Sequence, residues 1–256
     1  MILDNLTRAL KTQNWLAAGI EFLIVVSGVV IGFQINAWNE GRQDQARAAL
    51  YLERLSADLE ENLRRNTNDV AFRTSVRELG IDALDYAAGR AEPDSDWAVI
   101  TAFFNASQAG SSLLVTSTYD EILSVGDQRL VGDAALRNEL TAYFTAAPVD
   151  NILGTLPAYR ESVRMLIPIR IQDYILTQCY RANADGDGQR VIDCEPPSDL
   201  EYDYAALADQ LTGNEPLLGE LRFWVSTQSV ALSIYEARRL GTLRALDSVN
   251  AARSRP

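Results

Sequence analysis

The sequence predicts an all-α protein: one N-terminal transmembrane helix continuing into a helical stalk and a helical soluble domain. Three observations support this prediction. An apolar segment lies near the N-terminus, the charged segments after it carry apolar residues at helical spacing, and no stretch alternates apolar and polar residues with β-branched enrichment. We expect a cytoplasmic N-terminus over residues 1–14, a transmembrane helix over 15–38, an amphipathic stalk over 39–68 and an acidic periplasmic domain over 69–256.

The apolar segment is long enough to cross a bilayer. Residues 16 to 37 form about 33 Å of α-helix, which matches the thickness of the hydrocarbon layer. Trp15 and Trp38 flank the segment where an aromatic belt would lie. A secretory signal peptide fits poorly, because the segment is long and no cleavage site of small residues follows it. The remaining alternative is a buried helix of a soluble domain.

Polar and small residues of this segment share one helical face: Glu21, Gly28, Gly32, Asn36 and Asn39. The two glycines form a GxxxG pair, which lets another helix approach closely. A carboxylate within the bilayer costs about 2.5–3.5 kcal/mol on insertion scales. We therefore expect the face to pack in a homo-oligomer or against a partner membrane helix. Two alternatives stay open: Glu21 extends to the headgroups or is protonated, or it serves an ion path.

The leucines after the membrane segment predict an amphipathic helix. Leu52, Leu55, Leu59 and Leu63 are spaced by three and four residues and are flanked by acidic and arginine residues. The stripe is too short to establish a coiled coil, which needs three or four heptads, but it suffices for a stalk.

The rest of the chain predicts further helices separated by turn residues. Asp133 is a candidate N-cap, and Gly126 is a candidate left-handed residue at a helix end. We expect helices over about 69–88, from Asp96, over about 118–125, after Asp133, and over 151–178, 202–211 and 215–250. Tyr202, Tyr204 and Trp224 belong either to the core or to a contact surface.

The only two cysteines, Cys179 and Cys194, bracket the polar sequence CYRANADGDGQRVIDC. A disulfide between them would contribute about 3 kcal/mol in the chain-entropy model and would require an oxidising compartment. Two free thiols are the alternative. Basic residues flank the membrane segment almost evenly, so the positive-inside rule gives little preference. Together these features favour a bacterial inner-membrane protein with its N-terminus in the cytoplasm and residues 39–256 in the periplasm.

The loop between the cysteines contains a candidate calcium site. Asn183, Asp185 and Asp187 supply oxygen ligands at alternate positions, and Gly188 is sixth, as in the opening of an EF-hand loop. The remainder departs from that motif, because the twelfth position is Cys194 rather than glutamate. A solvated acidic turn is the alternative to calcium binding.

Two blocks of sequence resemble a known family. The first is similar to the start of an uncharacterised family of bacterial single-pass membrane proteins and reads GIEFLIVVSGVVIGFQINAWNE, followed by YLERLSADLEENL. The second is similar to that family's second block and reads TYDEILSVGDQRLVGDAALRNELTAYF. The blocks cover about a quarter of the chain. Ile20 separates Gly19 from Glu21, which the family usually has adjacent. The resemblance implies a helical domain on a membrane anchor and assigns no activity or catalytic residue.

The composition argues against several functional classes. The chain has no histidine, so Ser-His-Asp and Cys-His nucleophiles and an HExxH zinc site are excluded. A net charge of −12 argues against a nucleic-acid partner. No nucleophile elbow, phosphate-binding loop or dinucleotide fingerprint is present, so we expect no enzymatic activity and no cofactor beyond the candidate calcium.

These observations favour a membrane-anchored interaction or scaffold protein that associates through helices and has the lipid bilayer as its surroundings. One alternative is a subunit of an oligomeric channel or transporter in which Glu21 faces a polar path. Another is a periplasmic sensor that needs a partner for output, because residues 1–14 are too few for a cytoplasmic output domain.

Overall fold

Helices form nearly all the regular structure in the computed structural model, which describes residues 15–110, 113–146, 156–182, 188–198 and 200–254. The α-helices within these ranges are α1 (Trp15–Ala87), α2 (Asp96–Ala106), α3 (Ser117–Val125), α4 (Ala134–Phe144), α5 (Ala158–Leu166), α6 (Ile169–Gln178), α7 (Tyr204–Thr212) and α8 (Glu215–Arg253). A 3₁₀-helix (Asp127–Leu130) follows α3. The all-α class is confirmed.

A short antiparallel hairpin is the exception to the helical pattern. Strands β1 (Tyr180–Ala182) and β2 (Gln189–Val191) pair with Tyr180 opposite Val191. Three-residue strands are too short to show the alternation by which a strand is recognised in a sequence.

Several helix ends follow from local sequence. Asp133 caps α4 by accepting a hydrogen bond from Leu136 N, and Gly126 ends α3 in the left-handed region at φ 77°, as predicted. The helical stretch expected over 151–178 consists of two helices in its described part, because α5 ends before Ile167 and Pro168 precedes the start of α6. Residues 151–155 of that expectation lie outside the described residues.

Helix α1 is continuous past the boundary at residue 68 expected between stalk and domain. Its residues 51–83 pack along α8, which runs antiparallel: Ser56 contacts Asn250, and Arg73 contacts Gln228. At Gly80 the backbone of α1 lies so close to the side chains of α8 that a Cβ would overlap the Val225 side chain. The expected stalk therefore lies largely within the folded domain.

The buried positions of both long helices follow a heptad repeat. On α1 the repeat comprises Leu52, Leu55, Leu59, Asn62, Asn66, Asp69, Arg73, Val76, Gly80 and Ala83, with Tyr51, Ser56 and Phe72 buried beside it; on α8 it includes Leu221, Trp224, Gln228, Ala231, Tyr235, Thr242, Ala245 and Val249. Spacings of three and four residues repeated over four heptads are the pattern of a coiled coil. Asn62, rather than the expected Leu63, is buried in this stripe.

Two apolar cores lie at opposite ends of this helix pair. The first core joins Leu55 and Leu59 to α3, α4 and the C-terminal end of α8. The second core joins α2, α5, α6 and α7 to the N-terminal part of α8. Trp224 belongs to the second core and donates its Nε1–H to Ala106 O at 2.8 Å, whereas Tyr202 is 46% exposed.

Tyr159 is fully buried in the second core, and its hydroxyl donates to Phe103 O at 2.7 Å. Burial raises the pKa of Tyr159 well above its usual value of 10. The folded protein therefore keeps this proton at pH values where the unfolded chain loses it, so the stability that Tyr159 provides is complete below pH 10 and declines above it.

Substituting Tyr159→Phe tests this assignment. We expect a loss of about 1 kcal/mol of unfolding free energy at pH 8, because one buried hydrogen bond is removed. Above pH 10 the wild-type advantage should fall by about 1.4 kcal/mol per pH unit and then reverse. Urea unfolding of both proteins between pH 8 and pH 11.5 measures the difference, in which the other tyrosines cancel; a constant difference across this range would contradict the assignment.

Candidate functional site

The apolar segment of α1 has no packing partner in the described part of the chain. An 18-residue window has a mean hydropathy of 1.9 and no buried residue, and Phe33 is 72% exposed. The helix is long and apolar enough to cross a membrane. A core helix of a soluble domain would be mostly buried, so this exposure argues against that alternative.

The polar face expected on this segment is uncovered. Glu21, Gly28, Gly32, Asn36 and Asn39 all lie on α1 and are all exposed. Among the described residues, nothing lies within 4 Å of a Cβ built at Gly28 or Gly32. The face is therefore free to receive a second helix, and the glycines would let that helix approach closely.

Polar contacts lie where the apolar segment ends. Asn36 Nδ2 donates to Glu40 Oε1 at 2.7 Å, and the Arg42 guanidinium lies 5.1 Å from the centre of the Trp38 ring. A tryptophan covered by a cation, next to polar side chains, is typical of the boundary between hydrocarbon and water.

A buried tyrosine joins α1 to the 3₁₀-helix just beyond this boundary. The Tyr51 hydroxyl donates to Asp127 Oδ2 at 3.0 Å, and Arg47 approaches the same carboxylate at 3.4 Å. Burial, together with the hydrogen bond to Asp127, raises the pKa of Tyr51. These contacts hold the 3₁₀-helix against α1.

Between the two cores, the interface of α1 with α8 is polar. We call this layer the polar centre; its members are Asn62, Asn66, Asp69, Arg73, Gln228, Tyr235 and Thr242, all buried. Asn66 Nδ2 donates to the backbone O of Tyr235 at 3.0 Å. Asn62 exchanges two hydrogen bonds with the backbone of Val115, at 2.9 and 2.7 Å. The layer thus connects α1 to both α8 and the segment before α3.

Arg73 connects α1 to α8 and to the segment after α2 within the polar centre. Only 3% exposed, it donates to Gly110 O at 2.6 Å, to Gln228 Oε1 at 3.2 Å and to the Tyr235 hydroxyl at 3.3 Å. Its guanidinium also lies 4.7 Å from the centre of the Tyr235 ring. A buried cation held by acceptors on two elements fixes the register of α1 against α8.

A pair of arginines, Arg160 and Arg164, lies at the C-terminal end of α2. Arg160 donates to Ser107 O at 2.7 Å, and Arg160 and Arg164 both donate to Gln108 Oε1. Burial and the neighbouring Arg160 lower the pKa of Arg164 to about 10. Cations at a helix C-terminus are stabilised by the carbonyl groups there, so this pair orients α5 against α2.

The two cysteines lie at disulfide distance, with their Cα atoms 5.1 Å apart, which agrees with the predicted bridge. Cys179 is a buried member of the second core, and Cys194 O accepts a hydrogen bond from Trp97 Nε1 at 2.9 Å. The candidate calcium ligands Asn183, Asp185 and Asp187 lie outside the described residues, so calcium binding stays a prediction. The described residues contain no cluster of three or more His, Cys, Asp or Glu side chains arranged to hold a metal.

In comparisons with known proteins, the chain matches no protein-family model, no curated protein and no solved structure significantly. The resemblance to single-pass membrane proteins therefore stays a hypothesis that rests on the two sequence blocks.

Sequence reasoning missed the polar centre, although a signal for it is present. The heptad spacing of Leu52, Leu55 and Leu59 continues through Asn62 and Asn66, and α8 has a matching repeat. A search for apolar residues alone ends the stripe where its polar members begin.

Removing the cation from the polar centre should destabilise the protein strongly. We expect Arg73→Ala to lower the unfolding free energy by about 3 kcal/mol, because it leaves the buried Gln228 Oε1 and the part-buried Gly110 O without their donor. Arg77→Ala is the matched control: Arg77 is one turn further along α1 and donates to Ser229 Oγ at 2.8 Å in an exposed contact, so about 0.5 kcal/mol or less is expected. Denaturant titration measures both, and equal losses would refute the role given to Arg73.

Proposed function

We propose that the chain is a single-pass inner-membrane protein whose helical periplasmic domain acts as an interaction module through helix–helix association. The observation that carries the proposal is the uncovered apolar part of α1, which bears one polar, glycine-containing face and continues without a break into the folded domain. The resemblance to single-pass membrane proteins supports the same proposal. Membership of that family is part of the proposal.

The chemistry of the uncovered face favours a second copy of the chain as its partner. Identical helices that meet through Gly28 and Gly32 bring their backbones close together, and Glu21 and Asn36 then lie where each can find a polar partner across the interface.

The disulfide supports the periplasmic location of the domain. A bridge between Cys179 and Cys194 persists in an oxidising compartment and is rare in a bacterial cytoplasm. Cys179 is fully buried in the second core, so the bridge connects this core to the segment after β2.

Cysteine chemistry in cells tests this location. We expect an acid-denatured cell sample to bind maleimide-polyethylene glycol at Cys179 and Cys194 only after reduction. In intact spheroplasts, a membrane-impermeant maleimide should label an added thiol at the exposed Ser226 (Ser226→Cys) and spare one near the N-terminus (Thr7→Cys). If only Thr7→Cys is labelled and both native thiols are free, the topology is the inverse of the one proposed.

The glycine face is tested by substitutions that change its shape. Gly28→Leu with Gly32→Leu should abolish or strongly reduce dimer formation, because the backbones can no longer approach. The matched control is Val26→Leu with Val30→Leu, which has the same spacing on the opposite side of the helix and should leave the dimer intact. Single-molecule photobleaching in lipid vesicles measures the dimer fraction; equal behaviour of the two variants would refute the glycine interface.

Glu21→Gln distinguishes this proposal from a channel subunit. An interaction module should keep its dimer and show no ion movement in proteoliposomes either before or after the substitution. A wild-type ion flux that Glu21→Gln removes would favour the channel. Loss of the dimer on Glu21→Gln alone would show that the carboxyl group, rather than glycine packing, holds the helices together.

A further inference from the structure

A cleft of about 340 Å³ lies in the domain beside the disulfide. The start of α2 forms one wall and the segment after β2 forms the other, with Leu79 of α1 between them. The volume is that of a site for a small organic group. About 60 Å of helix separates Leu79 from Trp38, so lipid headgroups at the proposed membrane surface cannot reach the cleft.

The charges that line the cleft are all of one sign. Asp94, Asp193 and Glu195 line it and are exposed, and no arginine or lysine is among the lining residues. Burial and the carboxylates Asp82 and Asp94 raise the pKa of the nearby Tyr86, which indicates that this part of the domain disfavours further negative charge. The lining therefore disfavours an anionic ligand and favours a cationic one.

A side chain with an unpartnered acceptor, Asn105, is among the residues that line this cleft. Asn105 is 2% exposed, and its Oδ1 atom has no hydrogen-bond partner among the described residues. A buried carbonyl oxygen without a donor is unfavourable, and buried polar atoms in native proteins are nearly always paired. The oxygen can be satisfied only by a group that brings its own hydrogen, such as an N–H donor.

Apolar side chains complete the lining. Trp97, Ala98, Val191 and Ile192 lie beside the carboxylates, so the cleft can cover an aliphatic stem as well as a charged end. A bare metal ion does not fit this lining, because the described residues contain no metal-holding cluster and the cleft is much larger than an ion.

We propose that this cleft binds an organic cation, a primary ammonium or guanidinium group on an aliphatic stem. The carboxylates of Asp193 and Glu195 attract the charge, Asn105 Oδ1 accepts a hydrogen bond from it, and the apolar wall covers the stem. The group belongs either to a free small amine or to a lysine or arginine side chain of a peptide. The proposal is independent of association through the membrane helix.

Isothermal titration calorimetry of the full-length, oxidised protein in a non-ionic detergent tests the proposal. The probes are agmatine, the blocked tripeptide Ala-Lys-Ala, and acetate as a small anion. We expect saturable binding of agmatine that weakens as salt is added, because exposed carboxylates contribute to it, and no binding of acetate. Binding of the tripeptide as well identifies a peptide side chain as a source, and binding of agmatine alone identifies a small amine.

Paired variants assign the binding to the cleft. Asp193→Asn with Glu195→Gln should weaken agmatine binding about fivefold, and Asn105→Leu should weaken it by about tenfold or more. Glu53→Gln with Asp247→Asn, two exposed acids at the other end of the domain, changes the net charge equally and should leave the affinity unchanged. If circular dichroism shows that Asn105→Leu does not fold, the comparison of the two pairs of acidic substitutions still tests the proposal. Absence of saturable agmatine binding, or equal losses in both charge pairs, overturns the proposal.

Discussion

The antiparallel packing of α8 along α1 is the contact on which the rest of the described structure depends. Each core contains buried residues of both helices: Leu55 and Val249 belong to the first core, and Ala83 and Leu221 belong to the second. The shorter helices have too little apolar surface to form a core alone, since an isolated helix of three turns is marginal in water. A change in the register of this pair would therefore disturb both cores together.

The polar centre makes that register specific. Apolar heptads can slide past one another by one heptad at modest cost, whereas a shift at Arg73 would move a buried cation away from Gly110 and Gln228. Replacing the whole polar centre by apolar residues need not lower stability, but it would remove this penalty. The Gly110 contact also connects α1 to the segment after α2. The same arginine therefore holds three parts of the chain together.

Sequence patterns predicted the features whose causes are local. The cap at Asp133 and the left-handed Gly126 need only neighbouring residues, and the apolar segment needs only length and composition. The polar centre depends on residues about 160 positions apart, such as Arg73 and Gln228, and no local pattern shows that the two helices face each other. The cleft is harder still to predict from sequence. Its distinctive residue, Asn105, differs from a surface asparagine only in its buried surroundings, which the sequence does not show.

The continuity of α1 relates the proposed membrane interface to the domain. Leu55 follows Gly28, and Leu59 follows Gly32, by 27 residues, which is about seven and a half turns of an α-helix. The side of α1 that faces α8 is therefore opposite the glycine face.

Two copies joined through their glycines would each carry α8 on the outside, so the domains would not obstruct the close approach that glycine permits. The glycine face continues through the exposed Ala46 and Leu50, which are compatible with contact, and reaches Glu53, where like charges on two copies would separate the helices. The proposed association is thus confined to the anchor and the first turns beyond it, leaving the acidic cleft of each copy accessible.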